Sequence, residues 1–247
     1  MLFDVHAHLD AKDFEKDFDA VLKRAEENNV VCIINNGVDT ESNRKTLELS
    51  EKYKIIKPAL GFHPTDSEKF SEEEIEKEIE FIKKKKNEII AIGEVGLDYY
   101  WQHTKERQKK IFLQFIELAE KTKLPLIIHS RKAEDDVIPL LESTNIKVVL
   151  HAFEGKKQLI KRADEKNFKF SIPPSVVRSQ HFKTLIEKVS LQNLLTETDA
   201  PFLSAVKYQR NEPSEIKYVI KKISEIKGIT VEETEKIIFI NFKKCFK

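Results

Sequence analysis

Apolar positions along the chain fall into two alternating patterns. One is the continuous β-branched run, such as Val30-Val31-Cys32-Ile33-Ile34, which marks a strand buried on both faces. The other is helical spacing, as in Phe14, Phe18, Val21, Leu22 and Ala25, which form one apolar face over about 14–27. Followed through the chain, the first pattern predicts strands near 2–8, 30–34, 55–61, 88–93, 124–128, 147–150, 168–172 and 193–196. The second predicts helices near 14–27, 40–52, 71–85, 105–121, 133–143, 156–165, 179–189, 216–226 and 231–243. Ser71-Glu72-Glu73-Glu74 resembles a capping box at the start of one of them. Strand–helix alternation implies a parallel sheet with right-handed crossovers, and eight units imply a closed (β/α)8 barrel of the α/β class. An open doubly wound sheet is the structural alternative, but no Gly-x-Gly-x-x-Gly follows a strand. No linker or low-complexity stretch interrupts the pattern, so 1–247 reads as one domain.

Composition narrows the classes. A chain of 247 residues with 40% hydrophobic content can bury a sizeable core. A net charge of +1 gives no global basic field, so any nucleic-acid contact must use a local patch. Only Cys32 and Cys245 are present, and Cys32 reads as a small core residue; a reducing, cytoplasmic setting is expected. The first residues lack a basic region followed by an apolar stretch, so no signal peptide is expected. No apolar run approaches ~20 residues, so no membrane span is expected. Lys83-Lys84-Lys85-Lys86 reads as a solvated helix end.

Candidate chemistry gathers at strand ends. His6 and His8 are two apart on a strand, so both imidazoles point the same way. His63 follows the third predicted strand, Glu94 the fourth, His129 the fifth, His151 the sixth and Asp199 the eighth. In a barrel these carboxyl ends share one mouth. Five of the seven histidines belong to this set; only His103 and His181 fall on predicted helices or their starts. Four histidines with Glu94 and Asp199 exceed the three protein ligands of an open zinc site. They suit two divalent ions about 3.5–4 Å apart. The expected assignment is His6, His8 and Asp199 to one ion, His129 and His151 to the other, and Glu94 between, since a carboxylate has two oxygens to offer. Asp199 is also placed to take a proton from an attacking water.

Several stretches together resemble the TatD family of metal-dependent deoxyribonucleases. They are Asp4-Val5-His6-Ala7-His8-Leu9-Asp10, Ala59-Leu60-Gly61-Phe62-His63-Pro64 and Ala91-Ile92-Gly93-Glu94-Val95-Gly96-Leu97-Asp98-Tyr99. Leu124-Pro125-Leu126-Ile127-Ile128-His129-Ser130-Arg131 and His151-Ala152-Phe153-Glu154-Gly155 follow. Glu197-Thr198-Asp199-Ala200-Pro201-Phe202-Leu203 and Arg210-Asn211-Glu212-Pro213 complete the series in family order. The resemblance implies a TIM barrel of the amidohydrolase type and hydrolysis of DNA phosphodiester bonds at a binuclear centre. It implies metal binding at His6, His8, Glu94, His129, His151 and Asp199, and places His63 near the substrate phosphate. Histidine ligands favour Zn or Mn, while the family is often associated with Mg. Trp101, Ser204-Ala205-Val206-Lys207-Tyr208-Gln209 and Ser171-Ile172-Pro173-Pro174-Ser175 depart from the family pattern at the mouth.

Arg131, two residues beyond His129, is a candidate bidentate partner for phosphate, with Arg178 and Arg210 as further loop cations. Tyr99, Tyr100, Trp101 and Phe153 are candidates for stacking unpaired bases. The expectation is a 3′–5′ exonuclease on single-stranded DNA, acting as a monomer or weak oligomer. The competing expectations are a binuclear hydrolase of another bond (a D-aminoacyl-tRNA, an ester or a lactone) and a non-enzymatic metal- or nucleic-acid-binding protein.

Overall fold

A computed structural model describes residues 1–101 and 104–246. Its eight strands are β1 (Leu2–Ala7), β2 (Val30–Asn36), β3 (Ile56–Leu60), β4 (Ala91–Asp98), β5 (Leu126–Arg131), β6 (Val148–His151), β7 (Lys169–Ile172) and β8 (Leu194–Thr196). Each pairs in parallel with the next in sequence order. The helices are α1 (Phe18–Glu27), α2 (Thr40–Lys52), α3 (Pro64–Ser67), α4 (Glu72–Lys84) and α5 (Lys105–Thr122). They continue with α6 (Glu134–Glu142), α7 (Lys157–Glu165), α8 (Gln180–Lys188), α9 (Ile216–Lys227) and α10 (Val231–Phe246). The last strand returns to the first. Asp199 N donates to His6 O at 2.8 Å, His8 N to Ala200 O at 2.8 Å, and Thr196 Oγ1 to Phe3 O at 2.6 Å. The sheet therefore curls into a nearly closed (β/α)8 barrel rather than an open doubly wound sheet.

Two apolar layers explain why the strands are hydrophobic throughout. Outward side chains such as Ile33, Leu60, Ile92, Ile128, Leu150 and Phe170 pack in the layer shared with the helices. A second cluster joins Phe3, Val5, Cys32, Ile34, Ala59, Ala91, Ile127, Val149 and Leu195 to Phe242, Cys245 and Phe246 of α10. Phe3 stacks on Phe242 at 4.5 Å and on Phe239 at 5.6 Å. Most of these residues lie early in their strands, so α10 plugs the N-terminal end of the barrel. With that end dry and filled, inward polar side chains meet only at the opposite mouth.

Two slips in strand register aim the key side chains there. Asp4 pairs with Ile33 but Ala7 with Asn35, so three steps on β1 match two on β2. Phe3 and Val5 face the apolar plug; unbroken alternation would keep His6 on the face opposite Val5. The slip turns His6, and with it His8, toward the mouth. On β4, Ile92 pairs with Leu126 and Val95 with Ile128, and the same extra residue turns Glu94 inward.

Some boundaries differ from the sequence expectations. The first helix starts at Phe18, after a 3-10 turn at Lys12–Phe14. The fourth strand continues past Gly93 to Asp98, so Glu94 lies within it. Gly96, Leu97 and Asp98 pair with His129, Ser130 and Arg131, and Val95 and Leu97 are fully buried among the helices. His129 and Arg131 are likewise within β5. The one-turn helix α3, with Pro64 at its start and His63 as cap, was not expected. The predicted assignment of His103 to a helix start lies outside the described residues. The lysine run closes α4, where Lys83 pairs with Glu80 and Lys85 with Glu88, both exposed contacts. No helix among the described residues is long and apolar enough to cross a membrane.

Candidate metal centre

The mouth brings together every residue that the sequence placed there. Glu94 is at the middle. Its Oε2 lies 3.3 Å from His6 Nε2 and 3.3 Å from His8 Nε2. Its Oε1 lies 2.8 Å from His129 Nδ1, 3.4 Å from His151 Nε2 and 3.8 Å from His63 Nε2. Asp199 Oδ1 is 3.6 Å from both His6 Nε2 and His8 Nε2. Among the described residues, three overlapping sets have ligand-type atoms within 4.8 Å of one another: His6, His8, Asp199; His6, Glu94, His151; and His63, Glu94, His129. The first set is the one expected. His151 sits nearer the His6 side than expected, its ring stacked on His6 at 3.8 Å and on His129 at 5.9 Å.

Neighbouring groups fix which nitrogen of each ring faces the centre. His8 Nδ1 lies 2.9 Å from Asn36 O, which can only accept, so Nδ1 carries the proton and Nε2 offers a lone pair. Glu197 holds His151 Nδ1 at 3.2 Å and also accepts from Ala152 N and Ser171 Oγ. Asp98 Oδ2 holds His129 Nε2 at 3.1 Å. His63 differs: its Nδ1 accepts from Thr65 N at 3.3 Å and lies 2.7 Å from Thr65 Oγ1, which leaves the proton on Nε2, facing the cluster. His6 Nδ1 is buried with no hydrogen bond among the described residues, so its Nε2 is the atom that acts.

This set fits a divalent cation. His6 Nε2 and His8 Nε2 are 3.1 Å apart, with carboxylate oxygens at 3.3–3.6 Å. Donors each about 2.1 Å from one ion sit about 3.0–3.4 Å from one another. Electrostatics agree. Glu94, Asp98, Glu197 and Asp199 are all buried, and among the described residues their ion-pair partners are histidines, never lysine or arginine. Burial pushes His63 down to about 3, aided by His129, and His6 down to about 4, aided by His151. Burial also works against a charged His151, but Glu197, Glu94 and Asp199 outweigh it and hold that imidazole up at about 10. Burial would raise Glu94; the imidazoles of His6, His151 and His63 outweigh it and hold the carboxyl well below its usual range. Several acids and imidazoles thus share few protons, a charge problem that a divalent ion solves.

Sequence reasoning missed the supports. Asp98 and Glu197 orient ligand-type histidines, and Asp4 accepts from His6 N, Thr198 N and Thr198 Oγ1. Asn211 donates to Thr198 O and Phe202 O at 2.6 Å each and so braces the loop that carries Asp199. Other assignments need correction. Phe153 is fully buried against Phe170 and cannot reach a base. Arg210 is tied to Asp17 and Asp13 O, and Arg178 donates to Ser204 O, so both serve the loops. Arg131 does reach the mouth. It lines a cleft of about 620 Å³ with His8, His63, Glu94, Asp199 and Trp101.

Comparison with known proteins places this architecture. The TatD related DNase family matches residues 3–247. The chain is 36% identical to an uncharacterised metal-dependent hydrolase of Bacillus subtilis, YabD, over 100% of this chain and 99% of that one. It is 35% identical to human deoxyribonuclease TATDN3, covering 99% of this chain and 94% of that one. Among solved structures, the TatD homologue YjjV of Escherichia coli superposes with a TM-score of 0.92 at 28% identity, covering 99% and 97% of the two chains. The barrel, the histidine–carboxylate cluster at its mouth and these likenesses lead to one conclusion: the chain belongs to the TatD related DNase family of metal-dependent hydrolases.

Proposed function

We propose that this hydrolase cleaves phosphodiester bonds of DNA, removing nucleotides from the 3′ end of a single strand at a centre of two divalent ions. The observation that carries the reading is the division of Glu94: one oxygen faces His6 and His8, the other faces His129 and His151. A carboxylate so placed can bridge two ions, with Asp199 completing the His6–His8 side. Bound divalent ions, whether Mg, Mn or Zn, would lower the pKa of water and neutralise phosphoryl oxygens.

The chain's own groups supply the rest. Asp199 adopts a left-handed backbone, φ 58°, which aspartate tolerates, and this turns its carboxylate over the cluster beside the cleft. It is the group placed to accept the proton of the attacking water. His63, neutral and with its proton on Nε2, donates to a phosphoryl or leaving oxygen instead of ligating. Arg131 brings a planar cation to the cleft wall.

DNA as substrate rests on the family and on TATDN3, named a deoxyribonuclease. An end-directed mode rests on shape and charge. The cleft has the volume of a small-ligand pocket, and a net charge of +1 offers no track along a duplex. The test is cleavage of single-stranded DNA, 5′-labelled when linear and internally labelled when circular, with Mn²⁺, Mg²⁺ or chelator. The linear strand is expected to shorten stepwise from its 3′ end, the circle to survive, and chelator to stop the reaction. A circle cut as fast as the linear strand would overturn the exonuclease mode. Intact DNA in every metal, with turnover of an ester, a lactone or a D-aminoacyl-tRNA, would overturn the substrate.

A further inference from the structure

Two aromatic rings stand over the centre from opposite sides. Trp101, 54% exposed, follows β4, and Phe202, 61% exposed, follows β8. In a ring of eight strands these two positions are diametrically opposed. Both side chains line the one cleft that has Glu94, His8 and Asp199 at its floor.

Both rings have aromatic neighbours yet stay more than half exposed. Trp101 and Tyr100 meet edge to face with centroids 5.0 Å apart, and Tyr100 in turn carries the Arg131 guanidinium 3.7 Å above its ring. Arg131 belongs to β5, so this ladder ties the indole to the barrel wall. Opposite, Phe202 N donates to Asp199 O at 2.7 Å and Phe202 O accepts from Asn211 Nδ2, while its ring meets His8 at 6.4 Å. Two exposed aromatic side chains lining one cleft beside a polar cluster offer flat apolar surface to a ligand bound there. Neither ring bears charge, and Phe202 has no donor for a phosphate oxygen. A planar, unpaired nucleobase is the group that stacks on an aromatic face regardless of sequence.

Resting on the nuclease reading above, we propose that Trp101 and Phe202 stack on the bases flanking the scissile phosphate and thereby select unpaired strand ends. In a duplex the inner bases are stacked on both faces and the terminal base is paired and stacked on its inner face, so a paired end must first unstack and fray to enter.

The experiment compares wild type with Trp101→Ala, Phe202→Ala and Trp101→Phe, each loaded with Mn²⁺. Two linear single strands are used: an ordinary one, and one lacking the bases of its two 3′-terminal nucleotides. On the ordinary strand each alanine variant is expected to lose about tenfold in kcat/KM, mostly through KM, and Trp101→Phe to recover most of it. On the abasic strand wild type should fall to the level of the alanine variants. Variants within about twofold of wild type on the ordinary strand would overturn the proposal. So would a tenfold loss that persists on the abasic strand, since it would come from the shape of the cleft and not from stacking. A wild type inactive on both strands would overturn the nuclease reading and this inference with it, whereas an active wild type with insensitive variants overturns the inference alone.

Discussion

Glu94, Asp98, Glu197 and Asp199 are buried within one mouth with, among the described residues, only imidazoles as ion-pair partners, a costly arrangement unless each charge is matched. Each carboxylate has a separate task. Glu94 and Asp199 face the centre, while Glu197 and Asp98 hold the far nitrogens of His151 and His129. Glu197→Gln, which keeps shape but removes charge, is therefore expected to weaken Mn²⁺ binding by about 10- to 100-fold. Calorimetric metal titration reads this, and unchanged affinity would show that Glu197 only braces the Ala152 turn. The histidines and the two central carboxylates were legible in the sequence because ligand-type residues fell at strand ends. Glu197 and Asp98 were not, because a carboxylate whose partner is another side chain leaves no spacing of its own. Phe153 was misread for a related reason: an aromatic near a strand end has the same signature whether it faces solvent or, as here, Phe170.

At the scale of elements, the order of strands and helices was legible because it is written in apolar periodicity. The register slips on β1 and β4 were not, since one extra residue inside an apolar run leaves the run intact. Those slips place His6, His8 and Glu94 toward the mouth. The β4–β5 pair then depends on Gly96. Its φ of +145° is one that other residues rarely adopt, and a Cβ there would come within 2.0 Å of His129 O. Gly96→Ala should cost about 2 kcal/mol or more in unfolding free energy and displace His129 from Glu94. A denaturant melt and metal titration of the variant test both parts; a wild-type midpoint with wild-type affinity would contradict the account of this strand pair. The C-terminal helix α10 shows the same limit of periodicity. Its amphipathic pattern predicts a helix, but the Phe3–Phe242 stack that makes it the barrel plug is visible only in three dimensions.

At the scale of the molecule, the barrel converts positions from 6 to 199 into one cluster. It does so by filling one end with Phe3, Val5, Ile127, Phe242 and their neighbours and leaving polar side chains the other. That division also locates the cleft, and with it the rim where Trp101 and Phe202 stand. On the proposed reading, Glu94 joins two ion sites and both are needed to cut DNA. The most direct measurement is a titration of metal-free protein with Mn²⁺. Bound metal per chain and cleavage of single-stranded DNA are read from the same samples, for wild type and for Glu94→Gln. Two ions per chain are expected, with cleavage that rises with the second, and a variant with at most one tightly bound ion and at least about 10³-fold less activity. Full activity at one ion per chain, or a variant that binds two ions and cuts DNA like wild type, would contradict that reading.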